Sequence, residues 1–542
     1  MNKKHAAIAA IAGIATAVTS LTGSGVKAAD MQPNPFLPAV PFTSNMEPVI
    51  PHPKQQEEAA AKLNALEKRL GRKPNILIIV VDDMGWGDPG CYGGGNAVGA
   101  PTPNMDRLAE QGLRLTSCYS QPMSTPTRAS LMTGRLPART GLIRPIMAGE
   151  KLTRNPWSDE QTAAKILGKA GYTTALSGKW HLGEGKGLEP QDNGYDEFYG
   201  FLVVTAEYTP PWDVRRYPEL VNHPLLRETY LHKGFDNHII HAKKGGFKED
   251  VKLLDIEGIA NCDQDFLKFS EQFIHKQAEK NQPFYLIHAT AKVHFDNWPA
   301  EGYQGKSPAG TPYKDAVVEV DDIIGKLIKV LEETGQAENT FVFVTSDNGP
   351  EESAYYDCGV TPFRGAKGHT WEGGIRIPGI AYWPGMIKGG RDSDGLFDLM
   401  DLFNTSLAIG GVSWQKLPKD RYYDGINQTS FLLSDNGESN RQSIFVWNQY
   451  DFMALRWREF KSHLKINAVD NMSYSSNGGW QNTLVLDTLY PWTYSLYRDP
   501  KERYPGQGGQ YEWTIVPMNL EGQRHLLSFK KYPPKKVGLQ VP

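Results

Sequence analysis

Apolar and polar positions along this chain fall into two alternating textures. "NILIIVV", from Asn75 to Val81, runs seven residues with almost no polar interruption, which predicts a strand buried on both faces. "YTTALS", "PFYLIHAT" and "TFVFVTSDNG" repeat that texture farther along. Between such runs lie helical patterns. The clearest is "YKDAVVEVDDIIGKLIKVLEETG", with Val317, Val320, Ile324, Leu327 and Leu331 along one face. Strands alternating with helices predict an α/β fold: a large, mostly parallel central sheet flanked by helices.

The flanks read differently. "KQQEEAAAKLNALEKRLG" places Leu63, Leu66 and Leu70 at helical spacing and stops at Gly71. A proline-rich stretch precedes it and reads as an extended arm, so residues 29–73 form an N-terminal arm and helix. Residues 1–28 read as an export signal: "MNKKH" is the positive start, "AAIAAIAGIATAV" the apolar run, and cleavage falls after Ala28. The main α/β domain is placed at 74–420. After that, short aromatic segments such as "SIFVWNQ" and "FMALRWREFKSHL" predict a smaller antiparallel-sheet domain and tail over 421–542.

Composition narrows the classes. The 542 residues are 40% hydrophobic and 11% aromatic, as in a globular protein, and the net charge of −3 argues against a nucleic-acid partner. No apolar run beyond the signal is long enough for a membrane span, so the expectation is a soluble exported protein, periplasmic or secreted. The cysteines, Cys91, Cys118, Cys262 and Cys358, lack Cys-x-x-Cys spacing and argue against a zinc site; a disulfide after export is possible, with its pairing unreadable from sequence.

Ligands of an open parallel sheet bind at the carboxyl ends of its strands. This chain places Asp82 and Asp83 after the first strand and Asp347 and Asn348 after "TFVFVTS". "YTTALSGKWH" runs out through Lys179 and His181, and "PFYLIHATAKVH" through His294. A pair of aspartates after a strand is ordinarily a turn or a cap. Agreement among four strand ends is harder to set aside. Three carboxylates and an amide oxygen in one place would repel without a cation, and oxygen ligands select Ca²⁺ or Mg²⁺. "SQPMSTPTRASLMTGRLP" adds Ser124 in an N-cap-like position, Pro126 in the first turn, and Arg128 one turn on along the same face. An ordinary capped helix closed by Gly134 would look the same; so would a hydroxyl-derived nucleophile at a helix N-terminus that favours anions.

Residues 124–135 resemble the signature of the type I sulfatases, formylglycine-dependent members of the alkaline phosphatase superfamily: Cys or Ser, x, Pro, x, Arg, four residues, then Thr-Gly. "NILIIVVDDMGWGD", "TPNMDRLAEQG", "GYTTALSGKWHLG", "TSDNGPE", "FRGAKGHTWEGGIRIPGIAYWPG" and "DLMDLFNT" match in family order, so the resemblance spans about residues 74 to 505. It looks closest to bacterial arylsulfatases of the serine type. The resemblance implies a sulfuric ester hydrolase for aryl or saccharide sulfates. Ser124 would become formylglycine, matured by a radical S-adenosylmethionine enzyme, and its hydrate would attack sulfur. Asp82, Asp83, Asp347 and Asn348 would hold Ca²⁺, with Mg²⁺ the second choice. Arg128 would steady the diol, Lys179 and Lys367 would bind sulfate, His181 would take the proton that releases product, and His294 would face the leaving group. "HATAKVHFDNWP" departs from the family's usual Pro-His pair at that last position. The competing readings are a phosphodiester or phosphonate monoester hydrolase of the same superfamily and a non-catalytic sulfate-binding protein with unmodified Ser124. A two-zinc phosphatase fits poorly, since Asn348 stands where such relatives carry His.

Overall fold

The computed structural model describes residues 38–204, 225, 238–352, 357–468, 484–506 and 509–540. The proposed signal and the start of the arm, residues 1–37, lie outside the described residues. So does "TAEYTPPWDVRRYPEL", a segment that, with the C-terminal aromatics, reads from sequence as a candidate pocket rim. No described helix is long and apolar enough to cross a membrane.

The apolar run at Asn75 is a strand, β1 (Asn75–Val81), buried at every position. Its side chains alternate between two cores. Ile76, Ile78 and Val80 join one apolar cluster, and Leu77, Ile79 and Val81 join the other. The remaining long strands of this sheet are β2 (Leu113–Tyr119), β3 (Thr173–Lys179), β4 (Glu197–Phe201), β5 (His238–Lys243), β6 (Phe247–Leu253), β7 (Phe284–Ala289), β8 (Thr340–Ser346) and β9 (Arg376–Tyr382). Their spatial order is β2-β9-β8-β1-β7-β3-β4-β5-β6, with two short segments, Arg391–Ser393 and Phe397–Asp398, against β2.

The centre, β8-β1-β7-β3-β4, is parallel throughout. The flanks are not: β9 runs antiparallel to both β8 and β2, and β5 and β6 add an antiparallel edge on β4. The sheet is therefore mixed, with a parallel heart. Parallel strands need crossover helices, and these cover both faces. Helix α1 (Pro53–Leu70) ends at Gly71, φ 68°, as its sequence predicts. Helix α2 (Pro103–Gln111) places Met105 and Leu108 in the same core as Leu77. Helix α3 (Ser124–Thr133) is buried along its whole length and sends Ala129, Leu131 and Met132 into the Ile78 core. Helix α4 (Ile256–Glu279) contributes to both cores. Helix α5 (Pro312–Glu333) buries Val317, Val320, Ile324, Leu327 and Leu331 in the Leu77 core, the face its periodicity predicts.

The aromatic segments near the C-terminus form a separate antiparallel sheet, in the order β10 (Ser443–Asn448), β11 (Asp451–Trp457), β12 (Phe460–Asn467) and β13 (Val485–Ser495). Helix α6 (Ile515–Lys531) covers it, with Met518 packed among Phe445, Trp447, Leu455 and Trp457. This sheet grips the main body through buried polar groups. Lys461 Nζ on β12 donates to Thr370 O at 2.9 Å and lies 3.0 Å from Glu372 Oε1 and 3.1 Å from Glu502 Oε1. Asn467 Oδ1 accepts from the backbone of Thr370 at 2.6 Å and from its hydroxyl at 2.7 Å. Lys461, Glu372 and Glu502 are fully buried, so none can trade its partner for water. Replacing Lys461 by Met takes away the cation that Glu372 and Glu502 share, leaving Glu372 with Arg376 and Arg456 and Glu502 with His463. The expected loss of stability is about 3–5 kcal/mol, read by chemical denaturation. A neutral outcome would mean that apolar packing alone joins the two sheets.

Candidate active site

Strands β8, β1, β7 and β3 are neighbours and all point the same way, so their carboxyl ends open on one edge. That adjacency brings Asp347 and Asn348, Asp82 and Asp83, His294, and Lys179 with His181 together. Oxygens of Asp82, Asp83 and Asp347 lie within 4.8 Å of one another, and all three carboxylates are buried. Asn348 Nδ2 donates to Asp83 Oδ1 at 2.6 Å and to Gly349 O at 2.9 Å. Its Oδ1 is buried and accepts no hydrogen bond. An orphaned amide oxygen beside three carboxylates is a donor set that suits a hard cation.

Two backbone features shape this edge. Asp83 and His181 sit at φ 61° and 56°, left-handed conformations that non-glycine residues avoid and that concentrate at functional sites. Gly178, φ 97°, the last residue but one of β3, runs so close to β7 that a Cβ there would collide with Ala289 O. Only glycine lets β3 deliver Lys179 at that spacing.

Ser124 differs from its expected place by one position. It is the first helical residue of α3, and Met123, extended at φ −148° and ψ 161°, is the cap. Ser124 Oγ therefore does not cap its own helix. It donates to Asp347 Oδ2 at 2.6 Å, accepts from Arg128 Nε at 2.9 Å, and lies 3.3 Å from His181 Nδ1. Arg128 also reaches Asp347 Oδ2 at 2.8 Å, Lys179 O at 3.1 Å and Asp82 Oδ1 at 3.5 Å. Lys179 Nζ is paired with Asp82 Oδ2, and Lys367 Nζ with Asp83 Oδ2 at 2.7 Å. His294 Nε2 is 3.7 Å from Asp83 Oδ2, while its Nδ1 is turned to the Phe295 carbonyl. Every candidate site residue thus falls in one buried cluster.

Charge in the cluster is strongly biased. Burial pushes His181 well below the ordinary imidazole range, and the cations Lys179 and Arg128 push it further, so its ring is neutral. His294 moves the same way, first by burial and then by Lys367. Burial draws Lys179 down against the pull of Asp82, because Arg128 and Lys367 repel it. Lys367 goes up: burial works against its charge, but Asp83 and Glu351 override that.

The sequence reading missed several supports. Glu351, three residues past Asn348, lies 3.7 Å from Lys367 Nζ. Thr125 Oγ1 donates to His181 O at 2.7 Å and holds that strained residue in place. The Ile146 carbonyl is 3.1 Å from His181 Nε2. The four cysteines are free thiols, so the structure contains none of the disulfides that export would permit.

His369 sits in the loop of Lys367, and its Nδ1 accepts from Ala366 N at 3.1 Å. That bond needs a neutral ring, and burial, with Arg364, lowers its pKa to about 4. The unfolded chain protonates at about 6.5, so below that pH it binds a proton the folded loop refuses. Stability should fall as pH drops from 6.5 towards 4, by about 2 kcal/mol from this group at pH 5, and be unaffected above 7. Denaturation at both pH values on the wild type and His369→Asn checks this. The variant should lose that share of the pH dependence.

The family model for sulfatases matches residues 74–412. N-acetylgalactosamine-6-sulfatase from Homo sapiens is 35% identical over 451 residues, covering 80% of this chain and 81% of its own length. Arylsulfatase A from Homo sapiens is 30% identical over 455 residues, covering 81% and 84%. The crystal structure of the PsFucS1 sulfatase from Pseudoalteromonas sp. superposes with a TM-score of 0.89 at 47% identity, covering 93% of this chain and all of that one (100%). With this agreement in sequence and fold, and with the buried ring of carboxylates and cations at the carboxyl edge of the sheet, the chain belongs to the sulfatase family, enzymes that hydrolyse sulfate esters.

Proposed function

We propose that this sulfatase cleaves sulfate monoesters of saccharides, with position 124 oxidised to formylglycine and a calcium ion among Asp82, Asp83, Asp347 and Asn348. The observation that carries the reading is the proton count at Ser124. Its hydroxyl has one proton and two acceptors. Asp347 Oδ2 at 2.6 Å takes that proton. His181 Nδ1 is 3.3 Å away, and since the Ile146 carbonyl can only accept, it keeps the ring proton on Nε2 and leaves Nδ1 as a lone pair. The site is built for two hydroxyl protons at one carbon. A hydrated aldehyde supplies both: one hydroxyl to attack sulfur and one to release the product.

The cation, when bound, adds Lewis-acid charge beside the sulfate oxygens. Four protein oxygens at a buried edge suit calcium, whereas magnesium keeps more of its water. The other parts are the chain's own. Asp347 accepts the proton of the attacking hydroxyl, and Arg128, bonded to both Oγ and Asp347, fixes the line of attack. Lys179, paired with Asp82, and Lys367, paired with Asp83, face the sulfate oxygens as charge grows on them. His181, neutral, takes the second proton. His294 gives a proton to the departing oxygen. Its resting ring is neutral, so it first takes a proton from solvent, which the negative charge of the entering ester favours, and then passes that proton to the leaving oxygen. Three carboxylates balance Arg128, Lys179 and Lys367, and a divalent ion tips the site positive, which favours an anionic ester.

Sulfate over phosphodiester rests on the named sulfatases at 30% identity or more, and saccharide over aryl on the name N-acetylgalactosamine-6-sulfatase. Export from residues 1–28 and a radical S-adenosylmethionine maturase as partner complete the reading. Mass spectrometry of the peptide spanning Ser124, from protein made with such a maturase, should show loss of two hydrogens; rapid turnover by wholly unmodified serine would overturn the mechanism. Asp83→Ala should remove bound calcium and activity together. Replacing Lys367 with Ala should slow turnover by roughly 2–4 kcal/mol of transition-state stabilisation. Relative rates on a sulfated monosaccharide, an aryl sulfate and a phosphodiester rank the substrate classes, the sulfated sugar being expected first.

A further inference from the structure

Lys292 is two residues from His294, buried, and outside the charge ring described above. Its Nζ donates to Ala260 O at 2.8 Å and lies 3.3 Å from Glu319 Oε1 and 3.4 Å from Asp263 Oδ2. Both carboxylates are fully buried, Asp263 on α4 and Glu319 on α5. Each also holds the backbone of the loop that carries His294. Asp263 accepts from Ala291 N at 2.8 Å and from Lys292 N at 3.1 Å. Glu319 Oε2 accepts from Ala300 N at 3.0 Å, and Gln264 Nε2 donates to its Oε1 at 2.8 Å. The loop is thus gripped on both sides of His294.

The inner side of the same loop is laddered onto the end of β1. Thr290 N donates to Val80 O at 3.0 Å, Asp82 N to Lys292 O at 3.3 Å, and Val293 N to Asp82 O at 2.9 Å. His294 and the carboxylate-bearing residue Asp82 therefore share one backbone frame. Three buried charges are a costly way to close a loop, because apolar residues of similar volume would do so at least as stably. What charges add is direction: each oxygen here has an assigned N–H.

We propose that Asp263, Glu319 and Lys292 are positioning residues that set the imidazole of His294 against the leaving-group oxygen. This rests on the reading of His294 as the proton donor. A donor matters most when the leaving group is poor, so loss of positioning has a signature that general destabilisation lacks.

The test compares phenyl sulfate with 4-nitrophenyl sulfate, whose phenoxide leaves without help, in matured, calcium-loaded wild type, Asp263→Asn, the pair Lys292→Met with Glu319→Gln, and His294→Ala. In Asp263→Asn and the paired variant, kcat/KM on phenyl sulfate should fall by roughly 10- to 100-fold and on 4-nitrophenyl sulfate by less than about 3-fold, the pattern of a weakened general acid. An equal fall on both substrates, or none, overturns the proposal if His294→Ala alone shows the selective loss. If His294→Ala shows no selectivity, the reading of His294 is wrong and the proposal falls with it. Crystal structures of the same variants give a second reading that needs no turnover. The imidazole of His294 should shift by about 1 Å or more, a displacement that matters to catalysis, while Asp82, Lys179 and Ser124 stay in place. An unmoved His294 overturns the proposal.

Discussion

Like charges crowd the carboxyl edge of the central sheet, and the rest of the molecule is arranged to make that crowding tolerable. Oxygens of Asp82, Asp83 and Asp347 fall within 4.8 Å of one another in a buried place. At an effective dielectric near 20, each such pair repels by about 3 kcal/mol or more. Arg128, Lys179 and Lys367 each sit against one or more of these carboxylates. They come from a helix, a strand end and a distant loop, so the balance exists only in the folded chain. Sulfate-ester chemistry uses the same imbalance. A site that must hold cations to be stable is already made to hold an anion in their company.

Four strands of the parallel heart, β1, β3, β7 and β8, were legible because they are buried and read as largely apolar runs, whereas β4, with Glu197 and Tyr199 half-buried, was not. The α5 stripe and the stops at Gly71 and Gly134 were legible for similarly local reasons. So was the shared edge, since parallel strands deliver their loops to one side whatever their order. The insertion of β9 between β2 and β8 was not legible, nor was the β5–β6 edge. The β9 pairings and the attachment of β5 to β4 join segments far apart in sequence, and nothing local in "IRIPGIAYWPG" says that it runs against its neighbour.

The site divides the same way. Its acidic and basic residues could be gathered from strand ends, but their roles came from the resemblance, Lys367 above all, because it lies on no strand end. Ser124 was displaced by one residue because an N-cap and a first helical position look alike when the hydroxyl bonds to a partner 223 residues away. Lys292, Asp263, Glu319, Lys461, Glu372 and Glu502 were invisible for a different reason. A charged residue, on a helix, a strand or a loop, ordinarily faces water, and only the packed structure reveals that these do not.

Those buried charges explain how two kinds of support meet in one site. Asp82, Asp83, Asp347 and Lys179 stand at strand ends, and the sheet itself keeps them still. Lys367 and His294 stand on loops, which sheet geometry does not restrain. Each loop is tied down by a buried lysine between two carboxylates: Lys461 with Glu372 and Glu502 next to the loop of Lys367, and Lys292 with Asp263 and Glu319 around the loop of His294. The two triads share no residue and lie on different elements. A donor that must already point at the place where charge will develop cannot be reoriented during the reaction without losing its advantage. Apolar contacts would hold the loops down but would not choose an orientation, whereas a buried ion paired to named backbone groups has few alternative arrangements of similar energy. The second sheet is therefore tied to the carboxylate-bearing edge of the first, since it supplies the lysine that anchors one of the two loops.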